Sequence, residues 1–444
     1  SPGNMGERDL LPSFLYVPGT RELPQGSLVL PWADDMSFAV GIFARTQGAE
    51  VPGRLISSAK SWLCHVGVDR TAPILPWGAE DKNGELQKMS PVEVSAQYLL
   101  HIRQAWNASI ADNSSGPIDP ESMGQEPTPE NQFENQDIFL TVPASFDAAA
   151  RDLTVQAAER AGLSSVTLLE EPQAACYAWI EAAGEGWRKQ VRVGDVILVC
   201  DVGGGTTDLS LIAVSEEAGE LALQRVAVGD HILLGGDNMD LALAYAVQQR
   251  LAAAGTTLDT WQLRGLGHSC RAAKELLLQA EHADSQPLTI LGRGSSVIGG
   301  TLRTELSYEE VEAILVDGFF PRGTAADHPK TSRRVGFQEI GLPYAADPGI
   351  TRHIAKFLSQ HRAQDGPHTF AHPTALLFNG GGMQAAVLRQ RVVEVLEEWV
   401  QDEGGEAIRT LEETQLDHAV ARGAAYYGLA RRGQGVRIRG GTAR

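Results

Sequence analysis

Nowhere in its 444 residues does the chain have an unbroken apolar run of about 18 residues, the length a membrane-spanning helix needs. Cysteine is scarce. Cys64, Cys176, Cys200 and Cys270 lie far apart with no C-x-x-C pair, so neither a disulfide framework nor a zinc cluster is expected. Cys176 and Cys200 sit in apolar runs and fit a reducing compartment, which makes a cytoplasmic setting the expectation. Positive charge is short as well: 37 Lys and Arg face 56 Asp and Glu, for a net charge of -19. Such a balance repels nucleic-acid phosphates and anionic membranes. The tail residues Arg431, Arg432, Arg437 and Arg439 are too few to reverse it, so neither kind of partner is expected. No signal peptide is legible, and the start at Ser1 rather than Met suggests an N-terminus further upstream. The metal-helix spacing H-E-x-x-H is missing, and His361, His368 and His372 read as exposed loop histidines. Trp32, Trp62, Trp77, Trp106 and Trp179 read as core anchors rather than a stacking platform.

What is present suits a soluble protein of two or more lobes. A helix is expected at Pro91–Trp106 behind an N-cap at Ser90. The Ser-, Asn-, Pro- and Gly-rich stretch 109–136 reads as an exposed loop. Order returns with a strand at 137–142, a helix at 148–161 capped by Asp147 and ended by Gly162, a strand at 166–169 and a helix opened by Pro172. A buried strand is expected at 196–200, helices at 238–251 and 271–281, and an irregular insertion at 321–349. A strand at 375–378 leads to a helix at 386–400, whose apolar face is Leu388, Val392, Val395 and Trp399. A final helix at 417–429 has a small-residue face of Val420, Gly423, Ala424 and Tyr427.

The strongest local signal is Asp201-Val-Gly203-Gly204-Gly205-Thr206-Thr-Asp208, between an apolar strand and a second strand resuming at Leu209. Glycines let a backbone approach an anion and turn its N–H groups inward, and a carboxylate at a strand end can hold hydrated magnesium. A tight hairpin turn would also use glycine, but three in a row with two flanking aspartates favour the anion loop. A Walker loop and a dinucleotide fingerprint both need a helix directly after their glycines, and neither is present. Asn379-Gly380-Gly381-Gly382 joins a strand to a helix N-terminus, a place suited to a phosphate or a nucleoside edge. Leu234-Gly235-Gly236-Asp237 is a third, weaker glycine turn.

In order along the chain, the segments 137–163, 168–179, 198–211, 228–244, 376–392 and 416–430 resemble the nucleotide-binding domain of the seventy-kilodalton heat-shock (DnaK-like) chaperones. Leu11–Val17 and Ser57–Leu63 fit their places too. The resemblance implies an α/β, actin-like ATPase (duplicated ribonuclease-H-like) fold, two lobes each with a mixed sheet flanked by helices and a nucleotide cleft between them. It implies lobe I from 1–18, 135–192 and 417–432 with an upper part at 19–134. Lobe II follows from 193–232 and 307–416 with an upper part at 233–306, and 433–444 begins a linker or C-terminal region. ATP or ADP with Mg2+ is the implied cofactor, with K+ as a further candidate, and a client or co-chaperone the implied partner. By position, Lys60 matches the family's lysine at the γ-phosphate and attacking water. Glu171 and Asp201 match carboxylates that hold water and metal, and Thr206 the hydroxyl at the γ-phosphate. Gly204 and Gly205 supply loop N–H groups, Gly203 is counted with them among the nucleotide-binding positions, and Asp208 supports that loop. Gly235, Gly236, Lys274, Gly380, Gly381, Gly382 and Asp417 match nucleotide-contacting positions.

Three departures stand beside the match. The family's first phosphate loop precedes the segment matching Leu11–Val17 and is absent here, so weak or no ATPase activity is expected of residues 1–444 alone. Glu275, Leu278, Gly382 and Gln384 stand where the family places adenine-pocket arginines and serines, so less base-selective binding is expected. The tail GQGVRIRGGTAR is basic and glycine-rich where the family has a Leu- and Asp-rich linker. Three functions stay open at this point: a chaperone-like ATPase, a non-hydrolysing nucleotide-sensing module that binds a partner, and a small-molecule kinase of the same superfold.

Overall fold

The structure is a computed structural model, and it describes residues 9–20, 22–34, 36–79, 84, 86–111, 129–217, 220–279, 281, 283–292, 301–330, 341–362, 367–412 and 415–435. Most of the loop expected at 109–136, ten residues of the insertion at 321–349, and Arg437 and Arg439 lie outside the described residues. The chain forms two compact units: Ser1–Ile138 with Phe146–Thr167 and Glu339–Leu342, and Phe139–Ser145 with Leu168–Gln338 and Pro343–Arg444.

The first unit holds a three-stranded sheet of two-residue strands in the order β2-β1-β3: β1 (Leu15–Tyr16), β2 (Ala39–Val40) and β3 (Leu55–Ile56). With it go α1 (Ile42–Glu50), α2 (Ala59–Trp62), α3 (Pro91–Trp106) and α4 (Ala148–Arg160). The cap at Ser90 is a full capping box, in which Ser90 Oγ accepts from Glu93 N–H and Glu93 accepts from Ser90 N–H at 2.7 Å. Asp147 caps α4 through Ala150 N–H, and Gly162 ends that helix at φ 81°. Leu63, Val92, Ala96, Leu153 and Ala157 make the unit's buried helix seam.

In the second unit, β4 (Ile138–Val142) and β5 (Val166–Glu170) pair where the chain crosses between units. α5 (Glu171–Ala183) and α6 (Trp187–Gln190) follow, and Trp179 meets Trp187 edge-on. The main sheet has five strands in the order β12-β11-β6-β7-β8. They are β6 (Val196–Val202), β7 (Thr207–Glu217), β8 (Glu220–Val228), β11 (Ala375–Asn379) and β12 (Arg409–Leu411). β12, β11 and β6 run parallel, whereas β6–β7 and β7–β8 are antiparallel. The run Val-Ile-Leu-Val-Cys in β6 is apolar throughout because the strand is covered on both faces. Leu198 and Cys200 point into one core, and Ile197 and Val199 into another.

Helices α7 (Gly236–Ala253) and α8 (Thr260–Leu277) and the hairpin β9 (Ser285–Ile290) and β10 (Leu302–Ser307) extend the first core. The expected helix 271–281 thus begins eleven residues earlier, at Thr260, behind a capping box of Asp259 and Gln262, and ends at Leu277. Gly265 and Gly267 interrupt the helical pattern, while Leu263, Leu266, Cys270, Ala273 and Leu277 carry the buried face. α9 (Tyr308–Val311) and α10 (Asp317–Phe319) are joined by a wider turn, and α11 (Ile350–Gln360) and α12 (Ala386–Asp402) complete the layer. The final helix, α13 (Ala419–Arg431), starts two residues after Asp417. Its small-residue face packs on α5: a Cβ on Gly423 would lie 1.8 Å from the Ala174 carbonyl. Of the five tryptophans read as core anchors, Trp62 and Trp179 are buried, whereas Trp77 is 38% exposed and lies against Trp62 at 4.8 Å. Among the described residues, no helix is long and apolar enough to cross a membrane.

Candidate functional site

The site grows from the end of β6. There Asp201, 6% exposed, sits opposite Asp208 on β7 and Asn379 on β11. Asn379 Nδ2 donates to Asp201 Oδ2 at 2.6 Å, which fixes the carboxylate's rotation. Past Val202 the chain turns through Gly203–Gly205, and Gly203 N–H donates to the Thr206 carbonyl at 2.9 Å. Gly235 and Gly236 lie on this turn. Gly236 N–H and Asp237 N–H donate to the Gly203 and Gly204 carbonyls at 3.0 and 2.7 Å. A Cβ on Gly235 would sit 2.5 Å from Gly203 O, so only glycine lets the two backbones touch. Thr207 secures the pair from beneath, with its N–H on Ile232 O and its hydroxyl on Leu234 O.

Gly380 closes the third side at φ 83°. A Cβ there would lie 2.4 Å from Val202 O and 2.6 Å from Asp201 Oδ1. Gly382 is pressed on Val202 O, and the Cβ position of Gly381 is 3.1 Å from Asp417 Oδ1. Asp201, Gly203, Gly204, Gly235, Gly236, Gly380, Gly381, Gly382 and Asp417, separated by up to 216 positions in sequence, are therefore neighbours around one strand end.

The charged groups around them are mostly paired. Lys274 Nζ lies 2.7 Å from Asp240 and donates to Gly236 O at 3.3 Å. Arg271, one turn earlier on α8, binds Asp240 at 2.6 Å and Asp237 as well. Burial opposes its charge, but these two carboxylates hold its guanidinium well above the ordinary arginine value. Sequence reasoning missed Arg271, because its role depends on Asp237 and Asp240 one helix away. It also missed the support beneath Asp208, where Ser145 Oγ donates to Asp208 and lies 2.7 Å from His231 Nδ1. Burial pushes the neighbouring Cys200 thiol up to about 12, with Asp201 adding to it, so it is no nucleophile.

Beside Asp417 opens a cleft of about 720 Å³, lined by Phe378, Gln384, Arg389, Leu416, Asp417 and His418 among others. Gln384 donates to Asp417. Arg389 of α12 brings a guanidinium to this cleft but binds the Met383 and Gln384 carbonyls. Glu171 opens α5 with Pro172 behind it and is buried. Lys60 belongs to the first unit, exposed on the four-residue α2. That helix is entered through Ser58 at φ 55°, a conformation non-glycine residues adopt rarely and often near functional sites. The residues at the strand end fit a hydrated divalent metal: Asp201 is a buried carboxylate, and the buried Asn379 Oδ1 beside it has no hydrogen-bond partner among the described residues.

The sequence profile of the Hsp70 protein family matches residues 128–317. A chaperone protein HscA homolog of Bordetella pertussis is 31% identical over 312 residues, covering 68% of this chain and 44% of the relative. Homologs of the same name from Cupriavidus taiwanensis and Ralstonia nicotianae are 29% and 28% identical, covering 81% and 86% of this chain and 52% and 53% of theirs. The chain thus spans about half the length of the curated relatives it matches. With a mixed five-stranded sheet whose strand end gathers three glycine turns, the chain belongs to the Hsp70 family of DnaK-like chaperones and carries that family's actin-like ATPase fold.

Proposed function

We propose that this chain binds ATP and ADP at the end of β6 and hydrolyses ATP as the motor of a chaperone. The observation that carries the reading is the convergence of Gly203–Gly205, Gly235–Gly236 and Gly380–Gly382 on Asp201, where a Cβ at 235, 380 or 382 would strike backbone oxygen. The Gly203, Gly235 and Gly236 N–H groups hold the turns themselves, so the Gly204 and Gly205 N–H groups are assigned to phosphate, and the chain's net charge of -19 makes such neutral donors the more useful. Bound Mg2+ would neutralise triphosphate charge, and Asp201 and Glu171 would hold it through water. Thr206 and Lys60 are assigned to the γ-phosphate, and Lys274, Gly381 and Asp417 to the nucleoside side, with K+ as a further candidate ion. The four-subdomain division, lobe closure coupled to a client or co-chaperone, and a cytoplasmic setting belong to the same proposal. The exclusion of nucleic acid and membrane as partners rests on the acidic charge.

Calorimetric titration with Mg-ATP tests binding, and phosphate release tests turnover. Asp201→Asn is expected to weaken Mg-dependent ATP binding or turnover by about 10²-fold, the scale of losing one preorganised electrostatic partner. Unchanged binding in that variant overturns the reading. The Gln384–Asp417 pair in place of a stacking guanidinium favours weak base selectivity. ATP and GTP affinities within about tenfold are expected, roughly the 1–2 kcal/mol a desolvated cation–π contact supplies. Binding without turnover would instead favour the nucleotide-sensing module.

A further inference from the structure

On the second unit, apart from the glycine turns, two imidazoles and a carboxylate meet. Glu403 Oε2 lies 2.8 Å from His372 Nε2 and 3.4 Å from His368 Nδ1. One donor atom from each of the three residues lies within 4.8 Å of the others. A tetrahedral zinc shell with bonds of about 2.0–2.2 Å places its donors about 3.3 Å apart, so little movement would close the triangle on an ion. His361, the third histidine of this stretch, packs edge-on against Phe357. His361 is exposed as expected, whereas the expectation is corrected for the other two: the His368 and His372 side chains, 40% and 13% exposed, meet Glu403, itself 22% exposed. Their carboxylate comes 31 positions after His372, beyond the reach of any local spacing pattern.

The arrangement is held before any ion arrives. Thr369 donates its hydroxyl to Glu403 Oε1 and its N–H to both carboxylate oxygens, at 3.3 Å to Oε1 and 3.1 Å to Oε2, while Oε2 also faces both rings. This is the outer-shell support that orients a metal-binding carboxylate. The His368 and His372 rings lie 3.7 Å apart, centroid to centroid; the buried Phe370 lies against His372 at 4.6 Å and meets Trp399 edge-on, and Ala371 N–H is bound to Leu358 O. Glu403 is the C-cap of α12, whose negative dipole end favours a cation. Two imidazoles and one carboxylate suit zinc and its first-row neighbours, whereas magnesium and calcium prefer an all-oxygen set.

We propose that His368, His372 and Glu403 form a site for a zinc-class divalent cation, which staples the segment entering β11 to the end of α12. Three protein donors leave a fourth position for water. The test is calorimetric titration of chelator-dialysed, nucleotide-free protein with Zn2+ in a large excess of Mg2+, which keeps zinc off the all-oxygen groups near Asp201. One zinc per chain is expected, with affinity lowered at least tenfold in His372→Ala and in Glu403→Gln. A zinc-dependent rise in melting temperature should be present in the wild type and lost in both variants. Should either variant fail to fold, His368→Gln, at the most exposed of the three positions, carries the same expectation. Absence of zinc binding, or equal affinity in the variants, overturns the proposal and leaves a hydrogen-bonded His–Glu pair only.

Discussion

The two units secure their candidate functional residues by different means. In the second, the 235–236 turn lies on the backbone of Gly203 and Gly204, Gly380 and Gly382 lie on that of Val202, and the whole is fixed to a five-stranded sheet. In the first, Lys60 stands on a four-residue helix behind a left-handed serine, next to a sheet of two-residue strands. Backbone packed on backbone cannot yield, because no rotamer is available to move aside. A lysine at the end of four rotatable bonds can adjust at little cost. Under the proposed nucleotide reading, a phosphate cradle and an adjustable cation call for opposite local constructions, and each unit is assigned one.

That contrast can be broken by adding atoms. The largest effect is expected from Gly423→Val, which drives a side chain into the Ala174 carbonyl between α13 and α5. Overpacking of this kind costs about 3 kcal/mol, to be seen in denaturant unfolding. Gly235→Ala should cost about 2 kcal/mol and weaken ATP binding at least tenfold by parting two glycine turns. Gly204→Ala is its control: the added Cβ meets Asp237 Oδ1 at an ordinary 3.6 Å, so stability should stay within about 0.5 kcal/mol. Equal costs at 204 and 235 would remove the distinction between cradle and loop.

A pH scan sharpens the comparison from within the second unit. Burial raises the Asp347 carboxyl, but the Lys330 and Gly349 N–H groups and Arg352 outweigh it and hold the group below its usual range. A lowered folded value contributes stability above the ordinary carboxylate range, and that stability is lost as acid protonates the folded group. Asp347→Asn should therefore cost about 2 kcal/mol at neutral pH and flatten the decline of stability below about pH 5. The smallest effect belongs to the first unit. Ser58→Gly relieves the left-handed strain and should raise its stability by up to about 1 kcal/mol, the opposite sign to every glycine replacement above.

Much of this was legible in the sequence because local chemistry decided it. Ser90 and Asp147 cap their helices as their side chains dictate, and the apolar run of β6 could only be a covered strand. Gly423, singled out by its small neighbours, is where two helices touch. The failures share one cause, dependence on partners distant in sequence. Thr260–Leu277 was read too short because two glycines weakened its pattern, while its buried face is decided by the core it meets. Arg271 needed Asp237 and Asp240, and His372 needed Glu403. No window of a dozen residues contains those pairs.

Strand β7 lends Leu209 and Leu211 to one core and, across the bulge at Leu211/Ile212, Ile212 and Val214 to the other. A wall common to two rooms cannot be taken down for one of them. In amide hydrogen exchange, β6 and β7 should therefore share a single protection level set by complete opening of the sheet, while β12 and the outer rim of β8 exchange through smaller, earlier openings.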